Sequence, residues 1–114
     1  MHEVRDELAV VLGNDNKIYA IGGFGGAENQ PLRTVEVYDI ITNSWNFTPP
    51  MQFARRALAA ATLADGIYSI GGFDGTVYMS SVEKLEEGSQ KWVSVTSMHQ
   101  PRCTHSAVAV PESQ

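Results

Sequence analysis

The 114 residues amount to one small domain by length, and the mix of 43% hydrophobic with 18% charged residues is that of a folded chain, not a disordered tail. The formal charge is −5, with acids and bases spread along the chain and no run of lysines or arginines. That distribution offers no counterion-release surface, so neither a nucleic acid nor an anionic membrane is the expected partner. No stretch approaches the roughly 18 apolar residues that span a bilayer. A single cysteine, Cys103, allows no intrachain disulfide and favours a reducing compartment. The opening MHEVRDEL lacks the basic start and apolar run of a signal peptide, so the expected location is cytoplasmic and the sequon Asn46-Phe47-Thr48 is expected to go unused.

Ten glycines and ten aromatics in so short a chain point to many short strands and tight turns. In chain order, a first strand is predicted at Leu8 to Leu12, followed by the turn Gly13-Asn14-Asp15-Asn16. A second, Lys17 to Ile21, runs into Gly22-Gly23. A third covers Thr34 to Ile40 and, after Thr42-Asn43-Ser44, a fourth covers Trp45 to Thr48. Pro49-Pro50 cannot extend a central strand and closes the series. The order then recurs: Leu58 to Leu63, turn Asp65-Gly66, Ile67 to Ile70, Gly71-Gly72, Ser81 to Leu85, turn Glu87-Gly88-Ser89, and Trp92 to Thr96. Thr104 to Val110 repeats the first strand once more.

The recurrence is a true internal repeat. IYAIGGFGG, starting at Ile18, returns as IYSIGGFDG at Ile67, an offset of 49. TVEVYDIITNSW, ending at Trp45, returns as SVEKLEEGSQKW, ending at Trp92, an offset of 47. A Met-x-x-x-Arg mark stands at Met1–Arg5, Met51–Arg55 and Met98–Arg102. One segment conflicts locally: FARRALAAATLA, Phe53 to Ala64, has the composition of a good helix. Its register with ELAVVL before it and CTHSAVAV after it predicts a strand instead, because propensity is a weak prior against a threefold repeat.

A period near 50, Gly-Gly doublets at Gly22-Gly23 and Gly71-Gly72, and the pair Tyr38 and Trp45 seven apart resemble the kelch repeat. The likeness covers about Arg5 to Val110. The second repeat departs from the pattern at Leu85, where tyrosine is usual, and at Glu86, where aspartate is usual. The resemblance implies an all-β fold of kelch-type β-propeller blades, two four-stranded antiparallel sheets, with residues 1–50 as the first repeat, 51–97 as the second, and 98–114 as the first strand of a third plus a tail. Large rings such as Tyr38, Trp45 and Trp92 would supply area between blades, and the small Ala/Val strands would suit the crowded centre. Two blades make a partial propeller, since rings use about four to eight. Either the chain is a fragment of a longer kelch protein, or copies complete the ring, for example a homo-oligomer of three chains giving six blades.

Residue patterns with chemical connotations resolve mainly to structure. GGFGGAEN, Gly22 to Asn29, has neither the lysine-serine pair nor the following helix of a phosphate cradle, and it recurs as GGFDG. The H-x3-C-x-H spacing of His99, Cys103 and His105 does not match the paired zinc spacings, so no metal and no cofactor is expected. No G-x-S-x-G elbow accompanies the histidines. Arg5, Arg55 and Arg102 recur once per repeat, which predicts guanidinium groups bonded to backbone carbonyls or to a neighbour's acid such as Glu36 or Glu83; facing the propeller mouth instead, they would suit an acidic peptide.

The resemblance places function in loops. The loops joining second to third strands, Phe24 to Arg33 and Phe73 to Ser80, and the linkers Gln52 to Arg56 and His99 to Cys103, form the usual binding face of such propellers. GAENQPLR has no likeness to DGTVYMSS, as expected of a specificity surface on a repetitive frame. Phe24, Arg33, Phe53, Arg56, Phe73, Tyr78, Met79 and His99 are the candidate contacts with a protein or peptide partner. The implied role is an interaction module, as an actin-binding scaffold or a ubiquitin-ligase substrate adaptor; the latter needs a BTB domain, for which the residues before Leu8 leave no room. The alternative is a fragment of a kelch-type enzyme resembling galactose oxidase.

Overall fold

The computed structural model describes residues 1–95; the expected third-repeat strand, His99, Arg102, Cys103 and His105 lie outside them. Eleven strands follow one another: β1 (Arg5–Asp6), β2 (Ala9–Leu12), β3 (Ile18–Ile21), β4 (Phe24–Gly25), β5 (Gln30–Pro31), β6 (Val35–Asp39), β7 (Ser44–Thr48), β8 (Ala59–Leu63), β9 (Gly66–Ile70), β10 (Val82–Glu86) and β11 (Val93–Val95). There is no helix among the described residues. Two four-stranded antiparallel sheets, ordered β2-β3-β6-β7 and β8-β9-β10-β11, are the two blades.

The alanine-rich segment is a strand, as the repeat requires. Ala59 to Leu63 pair with Ile70 to Gly66 of β9. The Thr62 hydroxyl donates to the Leu12 carbonyl at 2.9 Å, and the Asn14 amide donates to Leu63 at 2.8 Å. β2 and β8 are therefore the adjacent strands of neighbouring blades. Small side chains permit that approach, and tertiary pairing overrides helix propensity.

The register explains the core. Ala9 faces Ile21, and Ile21 faces Val35, so all three lie on one side of the first blade. They pack with Leu58, Ile67, Leu85 and Trp92 of the second blade, and with Met51 from the linker. Ile21 and Met51 are wholly buried; each contributes about 1.5 to 3 kcal/mol of transfer free energy. Leu85 is buried in this cluster, so the departure from tyrosine leaves no gap in it. The Trp92 indole N–H donates to the Pro49 carbonyl at 2.9 Å, fastening the last strand of one blade to the end of the other.

Each blade also buries an ion pair with the same backbone and carboxylate partners, Arg5 adding a bond to Glu3 at 3.0 Å that has no counterpart at Arg55. Arg5 donates to the carbonyls of Gly22 and Thr34, both at 2.9 Å, and to Glu36 at 2.8 Å. Arg55 donates to the carbonyls of Gly71 at 2.8 Å and Ser81 at 2.9 Å, and to Glu83 at 2.9 Å. The acid belongs to the arginine's own blade in both cases, not to a neighbour. Backbone N–H groups of His2 and Glu3 complete the Glu36 carboxylate, at 2.5 and 3.1 Å; those of Gln52 and Phe53 complete Glu83, at 2.6 and 3.2 Å. Both ion pairs have fully buried side chains. Burial alone would raise the Glu36 carboxyl, but the two N–H donors and Arg5 outweigh it and hold the group below its ordinary 4.5. For Arg55, burial pulls the guanidinium down against the opposing effect of Glu83; it stays charged, as arginine does in proteins.

Removing one partner of such a pair strands a charge. Glu83→Gln is expected to cost about 3 to 5 kcal/mol in denaturant unfolding, and Arg55→Met/Glu83→Leu to recover most of that loss. A single variant as stable as the parent would contradict this account. The Glu36 contribution carries a sign: with the folded carboxyl depressed, it is complete above 4.5 and drains as pH falls through the depressed value. The gap in denaturation midpoint between the parent chain and Glu36→Gln should be wide near about pH 7 and narrow progressively below about pH 4.

Candidate functional site

The glycine doublets build the candidate face. Gly22 and Gly23 have φ of 63° and 102°, a left-handed geometry that turns the chain off the end of β3. A Cβ on Gly23 would lie 2.6 Å from the Asp6 carbonyl oxygen, so the doublet also lets the loop close onto the linker. Gly72, with φ of 99°, does the same in the second blade, where a Cβ would meet the Arg56 carbonyl oxygen at 2.8 Å. These are structural glycines; strands, not a helix, follow them.

The segments beyond the doublets are not plain loops. In the first blade β1, β4 and β5 form a small antiparallel sheet in the order β1-β4-β5, with Asp6 opposite Phe24 and Phe24 opposite Pro31. The second blade repeats the plan as single bridges, Arg56 to Phe73 and Phe73 to Tyr78. Each ribbon takes its first strand from the linker, so linker and loop form one rigid unit. Because GAENQPLR and DGTVYMSS share no pattern, comparing the repeats could not reveal this ribbon.

Four of the candidate residues come together in a row across both blades. The Arg56 guanidinium lies 3.9 Å above the Phe24 ring and bonds Glu7 through Nε at 2.5 Å. That bond to Glu7, opposed by slight desolvation, raises the Arg56 guanidinium above its ordinary value. Arg56 exchanges backbone hydrogen bonds with Phe73, and the Phe73 and Tyr78 rings stand 5.0 Å apart in a tilted contact. The tips of the two ribbons approach, since a Cβ on Gly75 would reach Pro31 at 3.5 Å. Asp74 accepts from the N–H groups of Thr76 and Val77, which fix the tip and hold its carboxyl below the usual range.

The other candidates divide. Arg33 is exposed and reaches the Met51 carbonyl at 3.5 Å. Phe53 is half exposed, directed by its backbone bond to Glu83. Tyr78 is 60% exposed and its neighbour Val77 54%. Met79 differs from expectation: it is buried, with its N–H on the Gly72 carbonyl, and serves the packing under the ribbon. His99 lies outside the described residues. Arg5 and Arg55 are committed to their carboxylates and do not face the ribbon surface. Glu7 and Val77 belong to the face and were not singled out from sequence; only their adjacency to Arg56 and Tyr78 identifies them.

At the other end of the blades the turns leave a groove of about 230 Å³ lined by Asn14, Asp15, Tyr19, Glu86 and Glu87. Burial, reinforced by Asp15, raises the Tyr19 hydroxyl, which donates to Asp15 at 2.8 Å. Among the described residues there is no cluster of three or more His, Cys, Asp or Glu arranged to hold a metal ion, and no helix long and apolar enough to cross a membrane.

Residues 8–52 and 54–99 each match the Kelch motif family. Kelch-like protein 8 of Mus musculus is 37% identical over 69 residues, which are 60% of this chain and 11% of that protein. Kelch-like protein 38 of Danio rerio is 31% identical over 100 residues, 88% of this chain and 16% of that protein. The chain thus spans less than a fifth of the length of these curated relatives.

The Glu7–Arg56–Phe24 contact sits partly in solvent and links the two blades, so its ionic part should respond to salt. Glu7→Gln is expected to lower the thermal midpoint at low ionic strength and to have no effect near about 1 M salt, where screening acts within about 3 Å. Arg56→Met should lower it at both, because the contact with Phe24 is lost as well. Thermal melts at two salt concentrations separate these outcomes.

Proposed function

The chain belongs to the kelch-repeat family, and we propose that it is a protein-interaction module that binds a partner protein or peptide through the ribbon face of its blades. The observation that carries this is the contrast between frame and ribbon. Equivalent buried ion pairs and glycine doublets hold two ribbons whose sequences have diverged completely; exposed Val77 and Tyr78 stand on the second ribbon's tip and half-exposed Phe53 on the linker beside it. Energetically dominant contacts are typically aromatic or arginine anchors held on a rigid support. Tyr78 and Phe53 fit that description best; Arg33 adds an exposed cation with no carboxylate partner among the described residues. Phe24, Arg56 and Phe73 act beneath them, fixing the ribbon's position.

On this reading the module is no enzyme, needs no cofactor and works in the cytoplasm, as a substrate adaptor for a ubiquitin ligase or as a cytoskeletal scaffold. Both roles require a surface that recognises a protein segment without altering it, which fits rigid ribbons and does not require a catalytic constellation. The acidic groove at the opposite end gives no comparable set of aromatic anchors.

The test is a quantitative affinity capture from lysate with the parent chain and with Phe53→Ala/Tyr78→Ala as bait. Both residues are at least half exposed, so circular dichroism should stay unchanged and the melting midpoint should fall only by the small contribution of the Phe73–Tyr78 ring contact. Loss of about tenfold or more in recovery of the same captured partner is expected, the size of one or two lost anchors. Equal recovery by a folded double variant would overturn the face assignment. Stoichiometric copper or zinc in the purified chain would overturn the non-enzymatic reading.

A further inference from the structure

The two departures from the repeat pattern, Leu85 and Glu86, meet at one place. In the first blade the Tyr38 hydroxyl donates to Asn43 across the β6–β7 turn, and Asp39 caps that turn by accepting from the N–H groups of Ile41 and Thr42 at 2.9 and 3.4 Å. The corresponding turn of the second blade, 47 residues on, has neither feature. Leu85 seals the core beneath it but carries no ring to cross the turn. Glu86 turns out to Lys84 at 3.3 Å, and the turn closes through its backbone, with the Ser89 N–H on the Glu86 carbonyl at 2.9 Å. The space beside the turn stays open: Leu85, Glu86 and Glu87 line the groove of about 230 Å³ between the blades.

The opposite wall belongs to the first blade, where Tyr19 donates to Asp15 at 2.8 Å. That pair is part of the repeated frame, since Tyr68 donates to Asp65 in the same way. The acids of the second turn are not: Glu87 and Gly88 stand where the first blade has Ile40 and Ile41. Burial first, then Asp15 and Glu87, raise the Tyr19 hydroxyl above its ordinary value, so both carboxylates act on one ring. Glu86 shares Lys84 with Asp65, but the exposed Glu87 carboxylate has no hydrogen-bond or ionic partner among the described residues. The lining holds the carboxylates of Asp15, Glu86 and Glu87 and no lysine, arginine or histidine, beside Ile67, Leu85 and the Tyr19 ring. Pockets that enclose whole small molecules run from about 300 Å³ upward; this one has room for a single side chain.

The geometry points to a binding site for a cationic side chain, arginine or lysine, carried by a partner segment that crosses the turn end of the two blades. Both side chains have a long apolar stem, which suits Ile67 and Leu85, and a charged head, which suits Glu87, Asp15 and the Tyr19 ring. Arginine would add a planar fork able to take two carboxylate oxygens at once. Charge alone would attract any cation to the surface. The slot, opened by Leu85 where the first blade has a tyrosine, is what selects a side chain with a stem. The site lies at the opposite end of the blades from the ribbons and does not rest on the reading of the ribbon face.

The test is a titration of the isotope-labelled 114-residue chain, followed by its amide resonances, with the amides of N-acetyl-arginine, N-acetyl-lysine and the neutral N-acetyl-citrulline. Either cation should shift Gly66, Glu87 and Gly88 saturably and leave Gly75 at the ribbon tip in place; citrulline should shift none of them. The tighter of the two cations identifies the side chain. Glu87→Gln, at an exposed position, should keep the fold and weaken the affinity about fivefold. Leu85→Tyr should fill the slot and abolish the shifts, with circular dichroism unchanged. No saturable shift with either cation, equal shifts with citrulline, unchanged affinity in Glu87→Gln, or full affinity in a folded Leu85→Tyr chain would each overturn the proposal. Should Leu85→Tyr disturb the core, Glu87→Gln and the citrulline comparison decide without it.

Discussion

The buried Arg5–Glu36 and Arg55–Glu83 pairs are the constraint from which the rest of the structure follows. Each guanidinium spans three parts of its blade: the carbonyl at the glycine doublet, the carbonyl just before the third strand, and the carboxylate within that strand. Each carboxylate in turn takes the two N–H groups that follow the methionine of the Met-x-x-x-Arg mark. Desolvating such a pair is expensive, and replacing it by apolar groups is often tolerated in other proteins. Here the site is nearly saturated with hydrogen bonds; among the described residues the Arg5 and Arg55 Nε atoms and the Ser69 hydroxyl opposite Glu83 lack a partner. Its value is directional. An apolar plug would fill the volume but would not specify where the linker enters or how the doublet turns.

That direction propagates to the binding face. With Arg55 fixed, its backbone carbonyl accepts from Gly23 at 2.7 Å and its N–H donates to Leu32 at 3.0 Å, so the linker of one blade stitches both ends of the previous blade's ribbon. The next residue, Arg56, begins the second ribbon and covers Phe24 of the first. Ribbon, linker and neighbouring blade are thus one mechanical unit. A displacement at the ion pair would move Phe53 and Tyr78 together, even though neither touches the arginine side chain. Repeat proteins draw stability from such nearest-neighbour contacts more than from single repeats.

How much of this was legible in the sequence depended on whether the repeat itself carried the signal. The eight blade strands, their order and the strand at the alanine-rich segment were legible because each landmark occurred at least twice in register. The arginine-to-glutamate assignment was legible for the same reason, down to Glu36 and Glu83, although not that each pair lies within one blade. The ribbons were not. β4 and β5 are two residues each and pair with a linker strand of two, and backbone pairing of that length leaves no periodicity. Met79 shows the same limit. It sits among exposed residues in DGTVYMSS, and only the Phe73–Tyr78 bridge turns it inward beneath the tip.

The division between what repeats and what varies has a physical cause. A position whose side chain is used by the frame has its identity set by contacts on every side, as with Glu36, Glu83 and the glycines whose Cβ would strike a carbonyl oxygen. A ribbon-tip position such as Thr76 or Val77 is held chiefly through its backbone, by the N–H bonds to the Asp74 cap and the main-chain bridges on either side of it. Its side chain is then free to be anything compatible with water. Selection for a partner can therefore rewrite the ribbon surface without disturbing the blade, while the same freedom at Arg55 would undo both. The rigid frame and the divergent ribbon are two consequences of one arrangement, in which backbone hydrogen bonds hold what buried side chains do not.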